Sequence, residues 1–228
     1  LMVAMSGGEV AKPAEYPNRE GFTQAIFWLE MVRSPEEVRS VLGEPGTETG
    51  TRLRRAMDAT NRFDYIFLVC YPLLIIALLL FISRRLADTG RRLPRGRLVV
   101  TAGICLCVAV MLADAYENIQ LLTLTAYTDL SKIDPAVITR LMIATRVKSG
   151  AVSAAGLVLM FLYSIYFNRS WGMFITLIYG ISVALGIIAL TVSNQRALIE
   201  TAALLGMTGW LVSAAHAGYW YIKKGNAR

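Results

Sequence analysis

The sequence predicts an all-α fold, a polytopic membrane bundle of about five transmembrane helices preceded by a short N-terminal helical segment outside the bilayer. Two observations carry that expectation. Of the 228 residues, 55% are apolar and only 17% charged, a balance far from that of a soluble domain. A bilayer core of about 30 Å needs roughly 20 mostly apolar residues at about 1.5 Å each, and stretches at about 63–83, 98–124, 138–167, 171–193 and 197–222 meet or approach that length.

Residues 1–20, with Gly, Pro and acids and no signal-length apolar core, read as a flexible N-terminus without a cleavable signal. Residues 21–62 read as a helical cap and connector. In "FTQAIFWLEMV", Phe22, Ile26 and Leu29 share one helical face. "SPEEVRSVLG" then supplies an N-cap at Ser34, Pro35 at the first helical position, Glu37 to close a capping box, and a terminating Gly43. "GEPGTETGT" is a turn-rich connector, and a new helix beginning near Thr51 runs on into the first span. Residues 63–222 form the transmembrane bundle, and 223–228 a basic tail.

Orientation follows from retained basic residues. The loop between the first two spans holds Arg84, Arg85, Arg91, Arg92, Arg95 and Arg97; Arg169 follows the third span, and "KKGNAR" ends the chain. These place the C-terminus in the cytoplasm and the N-terminus outside, in a bacterial inner membrane. Arg52, Arg54, Arg55 and Arg62 run against that assignment. Tyr163, Tyr166, Phe167, Trp171, Tyr219, Trp220 and Tyr221 read as anchors at the inner interface. The formal charge of +7 therefore reports loops rather than a nucleic-acid surface. Cys70, Cys105 and Cys107, with no CxxC and no nearby histidine, read as small buried hydrophobes.

"RSPEEVRSVLG", then "RFDY" opening the first span and "DAYEN" closing the second, resembles a group of uncharacterised bacterial multispanning membrane proteins over about residues 22–150. The resemblance implies no activity and no site residues.

Converting position to depth, at about 1.5 Å per residue from each span's inner end, singles out one layer. Asp114 lies about 24 Å up, Glu117 about 28 Å, Asn118 about 30 Å, Asp64 about 28 Å, Lys148 about 28 Å, Arg146 about 31 Å and Glu200 about 33 Å. Such groups near the membrane edge read either as interfacial ion pairs or as a converging polar pocket. Asp114, Glu117 and Asn118 share one helix face, continued by Leu121. Lys148, on a face with Ala144, Thr145, Ala151 and Ala155, is the expected partner, whereas Arg146 points about 200° away from it. The expected binding set is Asp64, Asp114, Glu117, Asn118 and Lys148, with Arg146, Glu200 and Tyr65 second.

Function divides into three classes. A binding or accessory protein for a lipid-like or amphipathic ligand fits an ionic cluster beneath a helical cap. An intramembrane enzyme acting on a lipid or isoprenoid would use Asp114 and Glu117 as acid and base. A transporter or channel would need an oligomer, because no charge is expected at the centre of any span. No cofactor is predicted. His216 is the only histidine, which excludes bis-histidine haem, and is read as hydrogen-bonded in the bundle; a hard divalent cation on the carboxylates is the remaining metal option. Expected partners are membrane lipids and a membrane protein or second copy. Gly206, Gly209, Ser213 and Ala217 form a small-residue face read first as an intramolecular helix contact.

Overall fold

The computed structural model describes residues 21–88, 96–166, 170–192 and 195–225. Among them the protein is 89% helical with no strand, so the all-α expectation holds. Seven helices follow in order: α1 (Ala25–Glu30), α2 (Pro35–Leu42), α3 (Glu48–Asp88), α4 (Gly96–Ala126), α5 (Pro135–Tyr166), α6 (Ser170–Thr191) and α7 (Leu198–Gly225). The last five are long and apolar enough to cross a membrane. The protein is a multi-pass membrane protein built as a helical bundle. Residues 1–20, Arg91, Arg92, Arg95, Phe167, Arg169 and the end of the basic tail lie outside the described residues, as do the side chains of Tyr166, Lys223 and Lys224.

The cap follows local chemistry. Ser34 accepts the Glu37 N–H at 3.3 Å, and Pro35 opens α2, where a missing N–H costs nothing. Glu37 returns its carboxylate to the Arg33 N–H at 2.9 Å, one residue upstream of the expected capping-box position. Gly43 ends α2 at φ 69°, and a Cβ there would meet Gly50 Cα at 3.1 Å, so the left-handed turn and the close chain crossing both require glycine. On α1 the buried residues are Ala25, Phe27, Trp28 and Leu29, and Phe22, just before the helix, is buried with them. Ile26 is only half-buried; the single stripe expected through Phe22, Ile26 and Leu29 is replaced by a wider face, because a one-and-a-half-turn helix packs its flanks as well.

Helix α3 starts at Glu48, three residues before the expected position, and runs unbroken through Pro72. The described residues up to Val69, with Met111–Lys148, make one compact unit; Cys70–Val110, with the described residues from Ser149 on, make a second.

In the first unit, the Arg54 guanidinium explains one arginine that opposed the charge asymmetry. It donates to the carbonyls of Leu124 at 3.3 Å, Thr125 at 3.1 Å and Gly43 at 3.5 Å. These belong to the last turn of α4 and the end of α2, where carbonyls have no intrahelical donor. Thr125 also donates to Asp58, fixing the same end of α4 to α3.

In the second unit, α6 and α7 pack closely. Ser182 donates to the Ala202 carbonyl at 2.7 Å, and Tyr179 and Ser213 hydroxyls lie 3.1 Å apart. A Cβ on Gly209 would stand 2.9 Å from the Tyr179 ring, and one on Gly206 would meet Ser182 Oγ at 3.2 Å. The small-residue face is thus an intramolecular contact at Gly206, Gly209 and Ser213. His216 accepts the Trp220 indole N–H at 3.1 Å, as its expected hydrogen-bonded role requires.

Two expectations are corrected here. Cys107 is buried, but Cys70 and Cys105 are exposed; an apolar run carries no mark of which face meets lipid. Tyr163 is fully buried rather than an interfacial anchor, whereas Trp171, Tyr219 and Tyr221 are exposed as anchoring requires.

Candidate functional site

The polar stripe of α4 faces inward. Asp114, Glu117, Asn118 and Leu121 are all at most 3% exposed, as spacing of three and four residues on a single face dictates. Opposite them, α5 presents Thr145 and Lys148 on a face whose Ala144 is buried and leaves room for close helix approach.

Lys148 is the centre. Its Nζ forms an ion pair with Glu117, lies 3.3 Å from Asp114 Oδ1, and lies 3.4 Å from Glu30 Oε2. Asp64, on α3, joins through Asn118, whose amide donates to Asp64 Oδ2 at 2.8 Å. The structure therefore brings together all five residues expected to form the site. Arg146 is exposed and turned away, as its helical phase requires. Tyr65 is 38% exposed. Glu200 is buried, within the second unit, and enters none of these ion pairs.

Two members were not foreseen. Glu30 ends α1, which reaches the cluster because four of its six residues are buried. Thr145, by sequence only a small packing residue beside Lys148, is the other. Its hydroxyl contacts both the Glu30 carbonyl, at 3.0 Å, and Glu117 Oε1. A threonine has one hydroxyl proton, so two acceptors share it. The available signal for Glu30 was an acid directly after the buried run "FWL"; nothing local tied it to Thr145, 115 residues away.

The balance of groups is unequal. Among the described residues, Glu30, Asp64, Asp114 and Glu117 surround one ammonium, and each ionised carboxylate offers two acceptor oxygens. The ammonium and the Thr145 hydroxyl reach Glu117, and the Asn118 amide reaches Asp64. Burial, the largest influence, pushes the Glu30 carboxyl up to about 7 against the attraction of Lys148, and Asp114 and Asp64 push in the same direction as burial. Asn61 adds a second irregularity. It is fully buried, and neither its amide oxygen nor its nitrogen has a hydrogen-bond partner among the described residues. Three residues before Asp64 on α3, it is that carboxylate's neighbour on one helix face. An unsatisfied buried amide costs about 1–3 kcal/mol.

No protein-family model, curated protein or solved structure matches the chain. Chemistry alone therefore constrains its role. Among the described residues no three His, Cys, Asp or Glu side chains are grouped to hold a metal ion. Both Glu117 oxygens are engaged, by Thr145 and Lys148, so use of Glu117 as a general base would require breaking this network first.

Proposed function

We propose that the chain is an integral-membrane binding or accessory protein that holds the donor-bearing, positively charged head of an amphipathic ligand in the cluster of Glu30, Asp64, Asp114, Glu117, Asn118 and Lys148. The observation that carries this reading is the imbalance, among the described residues, of four carboxylates against one ammonium. Buried ions persist when paired, and a cationic head would supply the missing charge and donors. The Asn61 amide beside Asp64, without a hydrogen-bond partner among the described residues, offers a further donor and acceptor to the same head. Helices α1 and α2 would cover the site, and the ligand's apolar part would lie among the spans.

In this reading the protein sits in a bacterial cytoplasmic membrane with the cluster toward the outer face, supported by the basic residues of the loop after α3. Kinship with the bacterial membrane proteins resembled around "RFDY" and "DAYEN" belongs to the same proposal.

Mass spectrometry of small molecules retained by the purified protein tests it. A specific amine- or guanidine-bearing amphiphile at a fixed ratio to protein is the expected result. Retention of nothing but bulk lipid, in the proportions of the host membrane, would refute a dedicated site.

A further inference from the structure

The second unit carries a separate polar feature at the C-terminal ends of α3 and α7. A groove of about 300 Å³ is lined there by Phe81, Arg84, Arg85, Asp88, Trp220 and Tyr221. The apolar run of α3 ends at Ser83, immediately before the two arginines, and the apolar part of α7 ends at Ile222. The groove thus lies where two spans leave the hydrocarbon layer, a depth suited to aromatic rings with one wet edge.

Its parts are held in place. The Arg85 guanidinium lies 4.4 Å from the Trp220 ring centroid, within cation–π range, and its Nη1 is 3.8 Å from Asp88 Oδ2. Trp220 is itself oriented by donating to His216 Nε2 at 3.1 Å. Phe81 and Tyr221 rings pack at 6.2 Å between centroids and form an apolar wall. Arg84 is exposed and ion-pairs with no described residue. Among the described residues, two guanidinium groups against one carboxylate give the groove a net positive charge. Both helices present their C-terminal ends, whose dipoles disfavour an anion, so the arginines must supply the attraction.

We propose that this groove binds the phosphate of an anionic phospholipid, with Arg84 and Arg85 on the headgroup and Phe81 and Tyr221 against the start of its acyl chains. Guanidinium forks match phosphate oxygens in bidentate geometry. A lipid, rather than soluble phosphate, is favoured by the apolar wall and by the groove's place at the ends of two spans. The site is independent of the carboxylate cluster and can stand or fall without it.

The test uses the full chain reconstituted into vesicles of equal parts phosphatidylcholine and phosphatidylglycerol, extracted in mild detergent, with retained lipids counted by mass spectrometry. The wild type is expected to retain phosphatidylglycerol over phosphatidylcholine. Arg84→Gln and Arg85→Gln should each lower that preference about fivefold, the effect of one basic residue at an anionic surface. Lys132→Gln, a surface control outside the groove, should leave it unchanged. Arg84 is exposed and ion-pairs with no described residue, so Arg84→Gln alone decides the matter if Arg85→Gln fails to fold. An equal retention of both lipids by the wild type, or an unchanged preference in Arg84→Gln, would overturn the proposal. Displacement of phosphatidylglycerol by inorganic phosphate, but not by sodium chloride of equal ionic strength, would overturn the lipid assignment in favour of a soluble phosphate ligand.

Discussion

Replacing Lys148 by methionine shortens the side chain by one atom and removes the one cation that the described residues bring to the carboxylate cluster. The ammonium forms an ion pair with Glu117 and lies 3.3 Å from Asp114 and 3.4 Å from Glu30. The Glu117 side chain is completely buried, and that of Asp114 is 4% exposed, so water cannot replace the lost partner. Removing one side of a buried ion pair costs about 3–5 kcal/mol. For a chain of this size that corresponds to a fall of roughly 6–20 °C in the unfolding midpoint. Circular dichroism of the purified variant in detergent reads the shift. A second change, Lys148→Met with Glu117→Gln, turns the most buried carboxylate into a neutral amide and should recover at least half of the loss. A fall below about 2 °C for the single variant, or no recovery in the double, would refute the idea that Lys148 neutralises buried charge.

Other expectations follow from the same structure. Arg54→Met leaves the Leu124, Thr125 and Gly43 carbonyls without their donor and should cost about 1–3 kcal/mol, seen as faster amide exchange at the end of α4. Gly209→Ala drives a methyl group to 2.9 Å from the Tyr179 ring and should lower stability by about 1–3 kcal/mol, checked by thermal unfolding, whereas Gly218→Ala, with open space around it, should not. The Glu30 carboxyl is raised from 4.5 to about 7, so the folded cap binds more protons than the unfolded chain between those values. Stability is therefore fullest below about pH 4.5, falls as pH rises through about 7, and levels off above, by about 3 kcal/mol in all. Protease sensitivity of the α1–α2 region against pH measures it: Glu30→Gln should flatten the profile, and resistance that rises with pH would contradict the assignment.

The spans were legible because their signal is length and hydropathy, and the start of α2 because Ser34, Pro35 and Glu37 act on backbone groups within one turn. The convergence of Asp64, Asp114, Glu117, Asn118 and Lys148 was also legible, since ionisable groups in a span must share depth and face with partners. Helical phase likewise excluded Arg146 correctly. What failed was different in kind. Cys70, Cys105 and Tyr163 sit in helices apolar on every side, where periodicity does not distinguish the lipid face from the interior. Glu30 and Thr145 meet across 115 residues, a distance at which no local pattern operates. Arg54 looked like a breach of the charge asymmetry because its role, satisfying the carbonyls that end α4 and α2, belongs to packing between elements.

The claim that the carboxylate excess serves a ligand is tested most directly at Asp114. Glu117 and Glu30 still face Lys148 when Asp114 becomes asparagine, so one negative charge is lost without leaving the ammonium alone. The decisive measurement is the amount of amphiphile retained per protein by Asp114→Asn, compared with wild type at matched unfolding midpoints. Retention reduced at least tenfold, with a midpoint within about 3 °C of wild type, is the predicted result. A midpoint that collapses in Asp114→Asn, or retention unchanged from wild type, would contradict the claim and leave the cluster as an ion-pair lock.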